Sequence, residues 1–239
     1  MRMRTLLSLA ILFGCVAHAR AQQPTAPAAS DPELIEVRPV GTATRFAVFY
    51  SGDGGWAAID RGVADELAEQ GTLIVGVNSL RYFARERTPE EAAADLTRIL
   101  DSYDPRRAHL PVLLIGFSRG ASVLPLIVNH LPEAVRGRIT AISLIAPERK
   151  TQLKVQLRDL LPGLESRGQD VAPQIKMLKV PTQCIYGEGD SDALCPDLKG
   201  PAEQAVAIGA GHHLSGEYGA IADCIISHAD AAVAASAVR

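Results

Sequence analysis

Gly116-Phe117-Ser118-Arg119-Gly120 constrains this 239-residue chain more than any other stretch. The apolar run 110–115 precedes it and a second apolar run, 121–128, follows it, so the five residues fall where a buried strand passes into a helix. Glycines two before and two after a serine allow a turn tight enough to lift the hydroxyl over the end of a sheet, the geometry of a nucleophile elbow. The helix that follows aims its first N–H groups and its dipole at the serine, which favours negative charge developing there. Ser118 is therefore the candidate nucleophile. The competing reading is an ordinary strand-to-helix turn with an inert serine, and the rest of the chain has to decide between them.

The remaining segments read as alternating strands and helices. Leu34 to Val40 alternates like an edge strand, and Arg45 to Tyr50 is a more buried one. The glycine-rich Ser51-Gly52-Asp53-Gly54-Gly55-Trp56 then leads into a helix with Ile59, Val63 and Leu67 at four-residue spacing, ended by Gly71. Thr72 to Val77 is a third strand, and Thr88-Pro89-Glu90-Glu91 is a capping box opening a second helix. Strands follow at Arg138–Ile145, Val180–Tyr186 and Ala205–Ile208, and the alanine-rich end from Ala229 is a helix end or a tail. Such alternation implies an α/β protein with a mostly parallel sheet and helices on both faces, and with the elbow it predicts the α/β-hydrolase fold.

In that fold a catalytic acid and histidine follow the serine in chain order, on loops after later strands. The loop Gly187-Glu188-Gly189-Asp190-Ser191-Asp192 and the turn Gly209-Ala210-Gly211-His212-His213 lie in those places. His212 directly follows the glycine turn and is the expected base, with His213 the alternative; Asp190 has the better spacing for the acid, with Asp192 the alternative. His109, His130 and His228 lie elsewhere in the order and read as structural. Two backbone N–H donors are needed for an oxyanion: one from Arg119, after the nucleophile, and one from Asp53 or Gly54 in the early glycine-rich loop. That loop lacks the lysine and Ser/Thr of a phosphate-binding motif. C-x-x-C spacing is absent as well, so neither a zinc site nor any other cofactor is expected.

Where the chemistry takes place depends on the N-terminus. Arg2 and Arg4, an apolar stretch from Leu6 to Ala17, and Ala19-Arg20-Ala21 have the layout of a secretory signal cleaved after residue 21. Lipidation at Cys15, after Leu12-Phe13-Gly14, is the competing reading. Residues 22–32, rich in Pro and Ala, read as a flexible tether, and 33–239 as a single catalytic domain of a length that suits one sizeable core. Cleavage removes three arginines and no acid, leaving 21 basic residues against 27 acids, a net charge of −6 that argues against nucleic acid as a partner. Export would expose Cys184, Cys195 and Cys224 to an oxidising compartment. Cys184 lies in an apolar strand and is expected as a buried free thiol, whereas Cys195 and Cys224, in a loop and a late helix, are expected to bridge.

Taken together, Ser51-Gly52-Asp53-Gly54-Gly55-Trp56, Ser79-Leu80-Arg81-Tyr82-Phe83, Thr88-Pro89-Glu90-Glu91, Gly116–Gly120 with Val123-Leu124-Pro125, and Gly211-His212-His213 resemble the VirJ/AcvB family of bacterial exported α/β-hydrolases. The resemblance covers almost the whole chain after the signal. Arg119 and Ser122 stand where the family's elbow is expected to have Phe and Asp. The resemblance implies a periplasmic hydrolase acting at the membrane surface on an aminoacylated phospholipid, notably lysyl-phosphatidylglycerol, with envelope or secretion-system proteins as partners in some members. From the residues alone, a general carboxylesterase or lipase and a catalytically silent envelope binding protein stay open.

Overall fold

A computed structural model describes residues 34–103, 109–154, 168–198 and 203–237. The expected signal, its alternative lipidation site and the tether lie outside these residues. The strands are β1 (Leu34–Val37), β2 (Arg45–Tyr50), β3 (Thr72–Val77), β4 (Val112–Phe117), β5 (Ile139–Ile145), β6 (Lys150–Thr151), β7 (Gln169–Asp170), β8 (Thr182–Glu188) and β9 (Glu203–Ala210). The helices are α1 (Ala58–Glu69), α2 (Ser79–Tyr82), α3 (Pro89–Tyr103), α4 (Arg119–Asn129), α5 (Glu133–Arg136), α6 (Val171–Lys176) and α7 (Tyr218–Ala237).

Seven strands form one sheet in the order β1-β3-β2-β4-β5-β8-β9, with β6 and β7 as a separate short pair. Only β1 runs antiparallel within the larger sheet, against β3. The central strands are apolar along their whole length because helices cover both faces. Side chains alternate between those faces. Phe46, Val48 and Tyr50 of β2 join the core under α3, α4 and α6, while Ala47 and Phe49 join the one under α1 and α7. β9 forms the opposite edge and is largely exposed.

The sheet corrects one expectation. Cys184 is bonded to Cys195, with their Cα atoms 5.5 Å apart, and Cys224 is the free thiol among the described residues. The cause is the side of the sheet each residue takes. Cys184 points from β8 into the α3/α4/α6 core, and the chain after β8 tucks Leu194, Cys195 and Leu198 into that same core. Cys224, on α7, packs on the opposite face, so the sheet stands between it and Cys195. Its burial raises the thiol pKa and keeps it protonated.

Candidate active site

The elbow forms because β4 ends at Phe117 and α4 begins at Arg119, leaving one residue to reverse the chain. That residue, Ser118, takes φ 50° and ψ −114°, a left-handed conformation that costs energy for any residue with a Cβ. Its backbone is held there from both sides. The Ser118 N–H donates to Ile145 O at 2.8 Å, and its carbonyl accepts from the Ser122 N–H at 2.9 Å and the Ser122 hydroxyl at 2.8 Å. Ser122 Oγ in turn accepts the Glu148 N–H at 2.8 Å, which ties the elbow to the loop after β5. The flanking glycines are there for space: a Cβ on Gly120 would lie 2.1 Å from Tyr50 O, and one on Gly116 would lie 2.5 Å from the backbone of Gly120 and Ala121.

Three residues far apart in sequence meet at the carboxyl edge of the sheet. Ser118 Oγ is 2.9 Å from His212 Nε2, and His212 Nδ1 is 3.0 Å from Asp190 Oδ2. The Asp190 side chain is 6% exposed and that of His212 is 34% exposed, so the carboxylate is screened from water while the imidazole can still reach a substrate. Asp190 Oδ1 accepts the Asp192 N–H at 3.1 Å, so Asp192 serves the acid loop through its backbone while its own carboxylate stays exposed. His213 is exposed and sits beside the Phe117 ring at 5.7 Å between centroids. The acid and histidine loops are pressed together where a Cβ on Gly187 would come within 2.1 Å of Gly211 O. Chemically, His212 Nε2 is in place to take the Ser118 proton, and Asp190 accepts the Nδ1–H of the resulting imidazolium.

The early glycine-rich loop lies alongside. A Cβ on Gly52 would be 3.7 Å from Ser118 Cβ, and Gly52–Gly55 is closed by the Gly55 N–H donating to Gly52 O at 3.1 Å. Asp53 and Gly54 therefore form the tip of a turn whose base lies next to the nucleophile. Ser51 Oγ accepts the Ser79 N–H at 2.9 Å and donates to Gly52 O at 3.2 Å, which fixes the base of the turn. Asp60, buried at the start of α1, accepts the Ala57 N–H at 2.9 Å. Burial pushes its carboxyl up to about 6, against the opposing pull of the Ala57 and Gly52 amides and of Arg61.

A second buried network stands behind the same rim. Asp95 Oδ2 accepts from the Tyr82 hydroxyl at 2.6 Å and from Arg87 Nη1 at 2.8 Å, and Arg98 pairs with Oδ1. The Arg87 guanidinium lies 4.0 Å from the Tyr82 ring centroid, and the Arg87 N–H donates to Leu153 O at 3.0 Å. Burial raises both the Tyr50 and the Tyr82 hydroxyl pKa, so both stay neutral. The sequence carried a signal for Asp95, since Ala92, Leu96 and Ile99 put it on the apolar face of α3. Asp60 had only its place in the first turn of α1. Arg119 is itself buried, and its Nη1 donates to Gln152 O at 3.2 Å. Among the described residues there is no group of three or more His, Cys, Asp or Glu that could hold a metal ion.

Comparison with known proteins bears on the fold and the family. The family described as "VirJ: Bacterial virulence protein (VirJ)" matches residues 44–233. No curated protein matches the sequence. Among solved structures, the esterase domain of a Rhodothermus marinus protein aligns at 17% identity and TM-score 0.56, over 82% of this chain and 91% of that one. Est1E from Butyrivibrio proteoclasticus aligns at 15% identity and TM-score 0.56, over 82% and 93%. An alpha-beta serine hydrolase homologue from Coxiella burnetii aligns at 15% identity and TM-score 0.56, over 81% and 89%. At these identities the likeness establishes the α/β-hydrolase fold.

Proposed function

This chain belongs to the VirJ family of bacterial virulence proteins, and we propose that it is a serine hydrolase that cleaves esters. The observation that carries this reading is the continuous relay from Ser118 through His212 to Asp190, with both hydrogen bonds at normal length. Ser118 attacks the ester carbonyl, His212 takes its proton and returns it to the leaving alcohol, and Asp190 holds the imidazole in the productive tautomer. The N–H of Arg119 and that of Asp53 or Gly54 stabilise the oxyanion. Water then repeats the sequence on the acyl-enzyme, regenerating Ser118.

The substrate we propose is the aminoacyl ester of a phospholipid head group, met at the periplasmic face of the inner membrane. Its α-ammonium group withdraws electrons from the carbonyl, and its cationic amines suit a site flanked by the exposed acids Glu188 and Asp192. A buried cystine beside the site favours an oxidising compartment for the folded chain.

A fluorophosphonate probe tests the nucleophile: Ser118 is labelled, and Ser118→Ala and His212→Ala each lose roughly 10⁶-fold in kcat on an activated ester. Wild-type turnover by Ser118→Ala would remove the mechanism. Incubation with lysyl-phosphatidylglycerol tests the substrate. Free lysine and phosphatidylglycerol support the reading, whereas fatty acid release makes the protein a lipase, and absence of labelling makes it a silent binding protein.

A further inference from the structure

We propose that the Cys184–Cys195 disulfide is a positioning element of the catalytic machinery, which fixes the loop carrying Asp190 so that its carboxylate stays on His212. This inference rests on the hydrolase reading above. The two cysteines are 11 residues apart, and the ring of chain that they close contains Gly187, Glu188, Gly189, Asp190 and Asp192. One end of the ring is anchored in the middle of β8, between β5 and β9, and the other is buried in the α3/α4/α6 core. Both half-cystines are at most 1% exposed, while Glu188, Gly189, Ser191 and Asp192 between them are exposed.

On the β8 side the loop is pinned to the histidine turn by the Gly211 N–H on Glu188 O at 2.9 Å, and the Asp192 N–H donates to Asp190 Oδ1 at 3.1 Å. From Asp190 onward the backbone ties are weaker. The Asp190 N–H donates to Gly187 O at 3.3 Å and the Ala193 N–H to Asp190 O at 3.3 Å, both long for a turn. The returning strand is held by the Leu194 N–H on Pro147 O at 3.1 Å and by Arg149 Nη2 on Ala193 O at 3.3 Å. Arg149 also pairs with Asp197, but both side chains are at least half exposed and such a pair contributes little. Gly189, with φ 74°, adds a residue of high conformational freedom just before the acid. Against these ties the cross-link is the one covalent constraint. It restricts the chain on the far side of Asp190 from β8, where β pairing no longer does so. A displacement of about 1 Å at a catalytic group can cost on the order of 100-fold in rate.

The experiment is a double-mutant cycle on an activated ester, with active sites counted by fluorophosphonate labelling. Replacing both cysteines, Cys184→Ala with Cys195→Ala, should lower kcat per labelled site roughly 10- to 100-fold at unchanged KM. The same replacement in an Asp190→Asn background should cost less than about 2-fold more, because the group that it positions has already been lost. A purely structural cross-link would lower Tm with kcat per site intact, or lower kcat equally in both backgrounds. Either result overturns the proposal.

If the alanine variant does not fold, the intact protein is treated with a dithiol, which passes two electrons to the cystine and leaves two thiols and an oxidised dithiol. Appearance of two additional thiols with unchanged kcat per labelled site refutes the brace, and loss of kcat per labelled site in protein that keeps its native circular dichroism, restored by reoxidation, supports it. A wild-type protein that neither labels nor turns over ester refutes the hydrolase reading, and the brace falls with it. Wild-type turnover indifferent to the cystine refutes the brace alone.

Discussion

The two ends of the rim that carries the site are built differently. On the β2/β3 side, polar groups inside the core hold the loops: Ser51 between Ser79 and Gly52, Asp60 under the first turn of α1, and Asp95 gripping Tyr82 and Arg87. On the β8/β9 side the sheet thins to an exposed edge strand, and the acid loop is tied by a cystine, the Gly211 N–H on Glu188 O at its start, long backbone bonds after Asp190 and a surface ion pair. In the proposed mechanism the thick side supplies backbone donors, which need only a rigid turn. The thin side supplies Asp190 and His212, whose side chains must be aimed, with little polar interior available to aim them.

Four measurements test this contrast. The largest effect is expected on the thin side: Asp190→Asn should cost roughly 10⁴-fold in kcat, while Asp192→Asn, whose exposed carboxylate is not on His212, should stay within a few-fold. Equal losses in steady-state kinetics would contradict the assignment of Asp190 as the acid. On the thick side, Asp95→Ala strands a buried guanidinium and should lower the unfolding free energy by about 3–5 kcal/mol in urea titration. A loss below about 1 kcal/mol would mean that the network does not brace the rim.

The third measurement uses pH. Burial raises Asp60 from 3.8 to about 6, so between those values the folded protein holds a proton that the unfolded chain has released. The ionised carboxylate therefore costs stability in full above about pH 6, and the cost disappears as the pH falls towards 4. At 1.36 kcal/mol per unit this reaches about 3 kcal/mol. The stability of Asp60→Asn relative to wild type should rise by up to that amount from pH 4 to pH 7, and a difference that stays flat would show Asp60 ionising at its ordinary value. The smallest effect is on Cys224. Peptide mapping should find Cys184 joined to Cys195, and Cys224 should alkylate slowly because its half-buried thiol stays protonated.

Most of the site could be read from the sequence because its geometry is imposed locally. Gly116, Ser118 and Gly120 mark the elbow wherever a buried strand meets a helix, and Gly211-His212 marks the turn after the last strand. The order of serine, acid and histidine then follows from the fold. Spacing separates Asp190 from Asp192 only narrowly, since two residues on one loop decide which carboxylate turns inward. Cysteine pairing was read wrongly for a different reason. Strand alternation places Cys184 and Ile185 on opposite faces, but which face each takes depends on which helices cover it, a non-local fact. The antiparallel pair of β6 and β7 has no counterpart in the sequence reading, since two-residue strands leave no periodic signal.

The relay closes between residues 94 positions apart, and its histidine follows a strand that pairs within the sheet only with β8. If His212 is the base of Ser118, as proposed, then until that final strand has zipped onto the edge the nucleophile has no base, and a nascent chain stays inert while most of its sheet can already form. Recovery of turnover during refolding should accordingly never run ahead of the fluorescence change of Trp56, which meets Phe49 of β2 edge to face. On the proposed mechanism, activity then reports completion of the fold, and a chain whose last strand is still free cannot yet turn over an ester.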